Sequence, residues 1–165
     1  MKILKFIDDN LEKIILVILL GASSVVIGLQ VFMRYVLQSS LSWSEEIARY
    51  MFVWLTYIGI SYGVKADRHI KVDAAMYMFP KNIRKYVALI GDILFLAFAI
   101  IIVVTSYGVS GKIIMIGQTS PAVGLPMGFV YLAPFVGFAM VSLRLVQNII
   151  KHITLLKGED IQCHH

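Results

Sequence analysis

Residues Phe32 to Asp73 read FMRYVLQSSLSWSEEIARYMFVWLTYIGISYGVKADRHIKVD. A charged cluster, Trp43-Ser44-Glu45-Glu46 followed by Arg49, sits here between two strongly apolar runs. Charges are costly in lipid, so such a cluster has to be neutralised within the chain or by a partner. Working outward, the run before it covers Ile14 to Met33, 20 residues without a charge between Lys13 and Arg34. At 1.5 Å per residue this is roughly 30 Å, the hydrocarbon thickness of a bilayer. Three further runs, 47–64, 86–111 and 127–150, are interrupted only by Arg49, by Asp92, and by Pro134 with Arg144. Backbone in lipid must satisfy its own hydrogen bonds, and these runs lack the apolar–polar alternation of barrel strands. The sequence therefore predicts an all-α membrane protein, one integral domain over residues 1–165 with four transmembrane helices.

Composition agrees with lipid as the solvent. The chain is 59% hydrophobic and 15% charged, with a mean hydropathy of +0.81. A soluble domain carries about a quarter charged residues. The first run is longer than the roughly 7–15 apolar residues of a secretory signal, so an uncleaved span is expected despite the small residues Gly21 to Ser24. Met1 to Lys13 has the spacing of an interfacial amphipathic helix. His69 to Tyr86 fits either such a helix or a solvated loop. Gln118 to Pro126, with prolines at 121 and 126, reads as a turn-rich connection.

Orientation follows from the basic residues. Lys2, Lys5 and Lys13, the six Lys and Arg from Lys65 to Lys85, and Arg144, Lys151 and Lys157 make twelve on one side. Arg34, Arg49 and Lys112 make three on the other. Both termini are thus expected on the cytoplasmic face of a bacterial inner membrane, and the connection at 118–126 on the periplasmic face. The net charge of +5 is then an orientation signal, and nucleic acid is not needed to explain it.

Within the cluster, Ser42 and Glu45 have capping-box spacing. Glu45 and Glu46 suit the positive end of a helix dipole, and Arg49 lies within reach of both along the helix. Trp43 suits a membrane–water boundary. Read alone, the group is a self-neutralising helix start, a contact for a partner subunit, or both. Further along, Gly59 and Gly63 form a GxxxG pair that admits a close helix. Trp54 and Tyr57, with Tyr50, form an aromatic stripe that reads as packing or lipid contact. Small residues also recur at Gly21, Ser24 and Gly28, and at Ala133 and Gly137. Asp92 is expected to pair with Arg144, with a proton or ion role and solvent exposure as alternatives.

Several chemistries have no residues to carry them. No histidine lies inside a span, which argues against haem held between helices. There is no phosphate-binding GxxxxGK[ST] loop, no plausible Cys/His metal set, and a single cysteine, Cys163. Neither an enzyme nor a resident cofactor is expected.

The pattern Phe32-x-Arg34-Tyr35, Trp43-Ser44-Glu45-Glu46, Arg49-Tyr50, Gly59, Gly63, His69-Ile70, Val72-Asp73, Ser120-Pro121, Pro126 and Pro134 resembles one family across nearly the whole chain. This is the DctQ-type small membrane subunit of tripartite ATP-independent periplasmic (TRAP) transporters. The resemblance implies two partners: a periplasmic binding protein that captures an organic acid, and a large membrane subunit that holds the substrate and uses the sodium gradient. It implies a fixed bracing role for the small subunit. Dicarboxylates and sialic acid are both family substrates, and the sialic acid branch is favoured because separate small subunits occur there. A membrane-anchor subunit of a respiratory enzyme and a small stand-alone carrier are the rival readings.

Overall fold

The computed structural model describes residues 2–39, 41–66 and 81–162. They form four helices: α1 Lys2–Tyr35, α2 Ser42–Lys65, α3 Lys81–Ile116 and α4 Gly128–Gln162. Among the described residues the nearest thing to a strand is one isolated bridge between Thr119 and Pro126. His69 and most of the amphipathic segment beginning there lie outside the described residues.

Three helices are long and apolar enough to cross a membrane, over Asn10–Tyr35, Leu89–Ile116 and Gly128–Ile150. Helix α2, with 24 residues, is not among them. Its length suffices, but Arg49 and a high share of Tyr, Trp and Ser dilute its apolar character. Helices α1, α3 and α4 have 34, 36 and 35 residues. At 1.5 Å per residue each is about 50 Å long, so they outrun the hydrocarbon core. The N-terminal amphipathic segment is not a separate helix, because α1 runs unbroken from Lys2 into the apolar stretch. Pro134 lies inside α4, where it withholds one backbone donor. That donor would have served the Val130 carbonyl; at the next residue, buried Ser110 of α3 donates to the Tyr131 carbonyl at 2.6 Å.

The helices stand in a row, in the order α1, α2, α4, α3. Helix α2 packs on α1 and α4, α4 packs on α3, and among the described elements no other pair brings its backbones together. Cross-contacts fix the directions. Gln30 meets Glu45 while Glu12 meets Ser61, so α1 and α2 are antiparallel. Tyr57 stacks edge-on against Phe138 at 6.0 Å, and Asn148 donates to the Val64 carbonyl at 3.2 Å, so α2 and α4 run parallel. Ser110 against Tyr131, and Phe98 against Phe138 at 5.9 Å, make α3 and α4 antiparallel. Phe138 thus joins the helices on both sides of α4. Around it Val64, Ala99, Val141 and Leu145 are fully buried. This is a small core for four long helices. The row leaves broad apolar surfaces uncovered, including Val25 on α1, Val104 on α3 and Leu143 on α4, each more than 60% exposed.

The close helix approach is not at the GxxxG pair of α2. A Cβ at Gly59 would meet only Leu16, at 3.8 Å, and one at Gly63 would meet nothing within 4 Å. The contact falls instead at Gly137 of α4, where a Cβ would lie 2.6 Å from the Tyr57 Cβ and 2.9 Å from its carbonyl oxygen. Buried Ala133 lies one turn away on the same helix. Gly21 and Gly28 of α1 likewise have no neighbour within 4 Å. Gly137→Ala should therefore cost about 1–3 kcal/mol, the usual penalty of overpacking, read as a lower thermal midpoint in detergent. Gly63→Ala, tested alongside, should leave that midpoint unchanged or slightly raised.

Candidate functional site

Two groups of polar side chains hold the row together, one toward each end. The first sits in the half where Lys and Arg concentrate, called the basic end below. Glu12 of α1 is 1% exposed, within an apolar segment. Its Oε1 accepts from the Arg144 Nε of α4 and from the Ser61 hydroxyl of α2, both at 3.1 Å. The backbones of α1 and α4 stay apart, so these side chains reach past α2. Ser61, fully buried, makes that possible: its small side chain leaves room and its hydroxyl adds a donor. Arg144 Nη1 is also held, by Gln147 Oε1 at 3.0 Å. The sequence suggested that Asp92 pairs with Arg144, and the structure shows a different principal partner for each. Arg144 goes to Glu12, and Asp92 Oδ2 faces His152 Nδ1 at 3.3 Å across α3 and α4.

The second group gathers where α2 begins. The expected capping box is absent: Leu41 is the N-cap without a side-chain bond, and Ser42 is already helical and exposed. Ser44, fully buried, donates instead to the Leu41 carbonyl at 2.7 Å. Glu45 does not reach back along α2; its Oε1 accepts from Gln30 Nε2 of α1 at 2.6 Å. Glu46 Oε1 accepts from the Tyr50 hydroxyl at 2.6 Å. Its Oε2 accepts from two successive backbone N–H groups, Ala122 at 2.9 Å and Val123 at 3.1 Å. Paired amides of this kind make an anion-binding concavity. Here the anion is the chain's own glutamate, 76 residues away along the chain from Ala122.

The loop so held is compact. Ser120 N–H donates to the Leu125 carbonyl, Gly124 N–H to that of Ser120, and Met127 N–H to that of Gln118. Gly117 and Gly124 take φ of +67° and +73°, which glycine adopts without strain. The Ser120 hydroxyl and then the Tyr50 hydroxyl, with smaller help from the two amides, hold the Glu46 carboxyl below its ordinary pKa, partly offset by desolvation.

The remaining residues singled out in the sequence divide clearly. Tyr57 packs in the interior, Trp54 is half-buried, and Trp43 is 39% exposed near the start of α2. Arg34 is exposed in the last turn of α1, where a cation suits the helix dipole. Arg49 is exposed and bonds to neither glutamate. Glu12, Gln30 and His152 were missed by sequence reasoning, and Ser120 was noted only as part of a family pattern. Glu12 alone left a signal, an acid at the start of an apolar run.

Residues 23–155 match the family described as tripartite ATP-independent periplasmic transporters, DctQ component. The chain belongs to the DctQ family. It is 29% identical over 164 residues to an isethionate TRAP transporter permease protein, DctMQ, of Oleidesulfovibrio alaskensis, covering 96% of this chain and 26% of that one. It is 32% identical over 99 residues to the C4-dicarboxylate TRAP transporter small permease protein DctQ of Vibrio cholerae, covering 60% and 43%. It is 31% identical over 84 residues to the sialic acid TRAP transporter small permease protein SiaQ of the same species, covering 51% and 49%. The chain thus spans less than half the length of each of these relatives. They are transporter components and not enzymes.

In this DctQ chain the Glu46 clamp has a definite pH dependence. Its folded-state pKa is lowered, so its contribution is fully present above the unfolded value and is lost as pH falls through the folded one. Hydrogen-exchange protection of the Ala122 and Val123 amides, corrected for intrinsic rates, should hold through the ordinary carboxylate range and fall only below it. Glu46→Ala should remove that protection already at neutral pH.

Proposed function

We propose that this chain is the small permease subunit of a sodium-coupled TRAP transporter for an organic acid, acting as a fixed brace for a larger membrane subunit. The observation that carries this reading is a row of helices latched toward both ends while its broad apolar faces stand uncovered. Latches suit a body that keeps its shape. Uncovered apolar faces suit a membrane partner, since helices in lipid associate by packing rather than by escape from water. In this reading the substrate and sodium sites belong to the large subunit, and a periplasmic binding protein delivers the acid. Helix α2 is a fourth span, both termini face the cytoplasm, and the Glu46-bound loop lies at the periplasmic surface of the inner membrane. The twelve-to-three distribution of Lys and Arg supports that orientation. The names of the relatives cover isethionate, C4-dicarboxylate and sialic acid, whose shared chemistry is that of an organic anion.

Reconstitution in liposomes tests this. Uptake of a labelled organic acid should require this chain, the large subunit, an inward sodium gradient and the loaded binding protein together. Uptake by this chain alone would overturn the brace and revive a stand-alone carrier.

A further inference from the structure

The uncovered side of α2 carries a charge. Glu45, Arg49, Phe52 and Thr56 recur at four- and three-residue steps, so they share one stripe, and all four are exposed. The stripe continues through Gly63, which has nothing within 4 Å of where a Cβ would stand. The flanks of α2 are occupied by α1 and α4, so the stripe lies on a broad face of the row. Thr56 is satisfied within its own helix, donating to the Phe52 carbonyl at 2.8 Å. Glu45 is engaged by Gln30. Arg49 alone on this stripe brings a charge that no described residue answers. It lies about two turns into α2, next to Phe52, which is 65% exposed.

We propose that this face of α2 seats a transmembrane helix of the large subunit, and that this helix presents a carboxylate to Arg49. The proposal rests on the small-subunit reading and specifies its interface. An arginine facing lipid is costly, and a carboxylate matches its planar fork in a bidentate pair. A lipid phosphate is the weaker occupant, because reaching Arg49 from the nearer headgroups means passing Glu45 on the same stripe. A second copy of this chain fits no better. Oriented the same way in the membrane, it would hold its Glu12 and Asp92 at the basic end, far in height from Arg49, while its Glu45 and Glu46, at a similar height, are already engaged by Gln30 and by Tyr50 with the loop amides. The bare backbone at Gly63, about 21 Å further along α2, admits the same helix closely.

The test uses the co-expressed membrane complex with a photo-crosslinking amino acid at Phe52 or Thr56, and at Leu94 of α3 as the comparison. Crosslinks to the large subunit from 52 and 56, and not from 94, are expected. Arg49→Gln should weaken the association at least about thirtyfold, the lower end of the scale for removing one partner of a buried charge pair, while Arg49→Lys largely restores it. Arg49→Glu should be rescued by a lysine replacing one intramembrane acid of the large subunit. Circular dichroism of the isolated small subunit should be unchanged in all three variants, since Arg49 makes no internal bond. Crosslinks from 94 alone, to a second copy, or to lipid only would overturn this interface and leave the subunit assignment standing. Failure of the two subunits to copurify at all would overturn both.

Discussion

A carboxylate buried in an apolar helix has to be answered by a cation, and Glu12 is answered from two helices away. Arg144 and Ser61 converge on one of its oxygens at 3.1 Å, so α1, α2 and α4 are tied at a single point. The tie matters because the backbones of α1 and α4 do not approach each other, so side chains have to span the gap. Beside it, among the described residues, α1 holds to the row along its seam with α2 and through the Gln30–Glu45 bond near the other end. Apolar packing sets rotation only where shapes interlock, as at Gly137 against Tyr57, and α1 has no such approach at Gly21 or Gly28. A charge-assisted bond sets it instead, because its geometry fails within a fraction of an ångström.

The opposite end solves a different problem. The connection between α3 and α4 contains two prolines and two glycines with positive φ, and it offers little apolar surface for anchorage. Glu46 supplies the anchor through consecutive amides, and Tyr50 steadies the carboxylate while its oxygen also lies 3.3 Å from the Met127 sulfur. A glutamate at a helix start therefore shapes the surface at which, in the proposed role, a soluble partner docks. Between the two latches the row is thin. Phe138 reaches Tyr57 on one side and Phe98 on the other, and much of the remaining apolar side-chain surface looks outward.

The helices were legible in the sequence because charge-free runs of bilayer length have few other solutions. Their pairings were less so. Arg144 was assigned to Asp92, its nearest acid by depth, but the register and rotation that bring Glu12 past Ser61 follow from packing around α2 and leave no local pattern. Glu12 itself looked like one more charge in a mixed N-terminal segment. The capping box failed because α2 begins one residue earlier than its spacing requires, which frees Glu45 for Gln30. The GxxxG signal was real as spacing, yet the described row uses Gly137 for its close approach. Glu46 was recognised as notable, whereas its partners, two backbone amides across the fold, could not be read from side-chain identity.

The most direct measurement of the central claim is a double-mutant cycle on Glu12 and Arg144, followed by unfolding of the small subunit in mild detergent. Glu12→Ala or Arg144→Ala alone strands a buried charge and should cost about 3–5 kcal/mol. The double variant strands neither, so its loss should fall well short of the sum of the singles. Strict additivity would mean that the two residues act on separate contacts and that no tie joins α1 to α4.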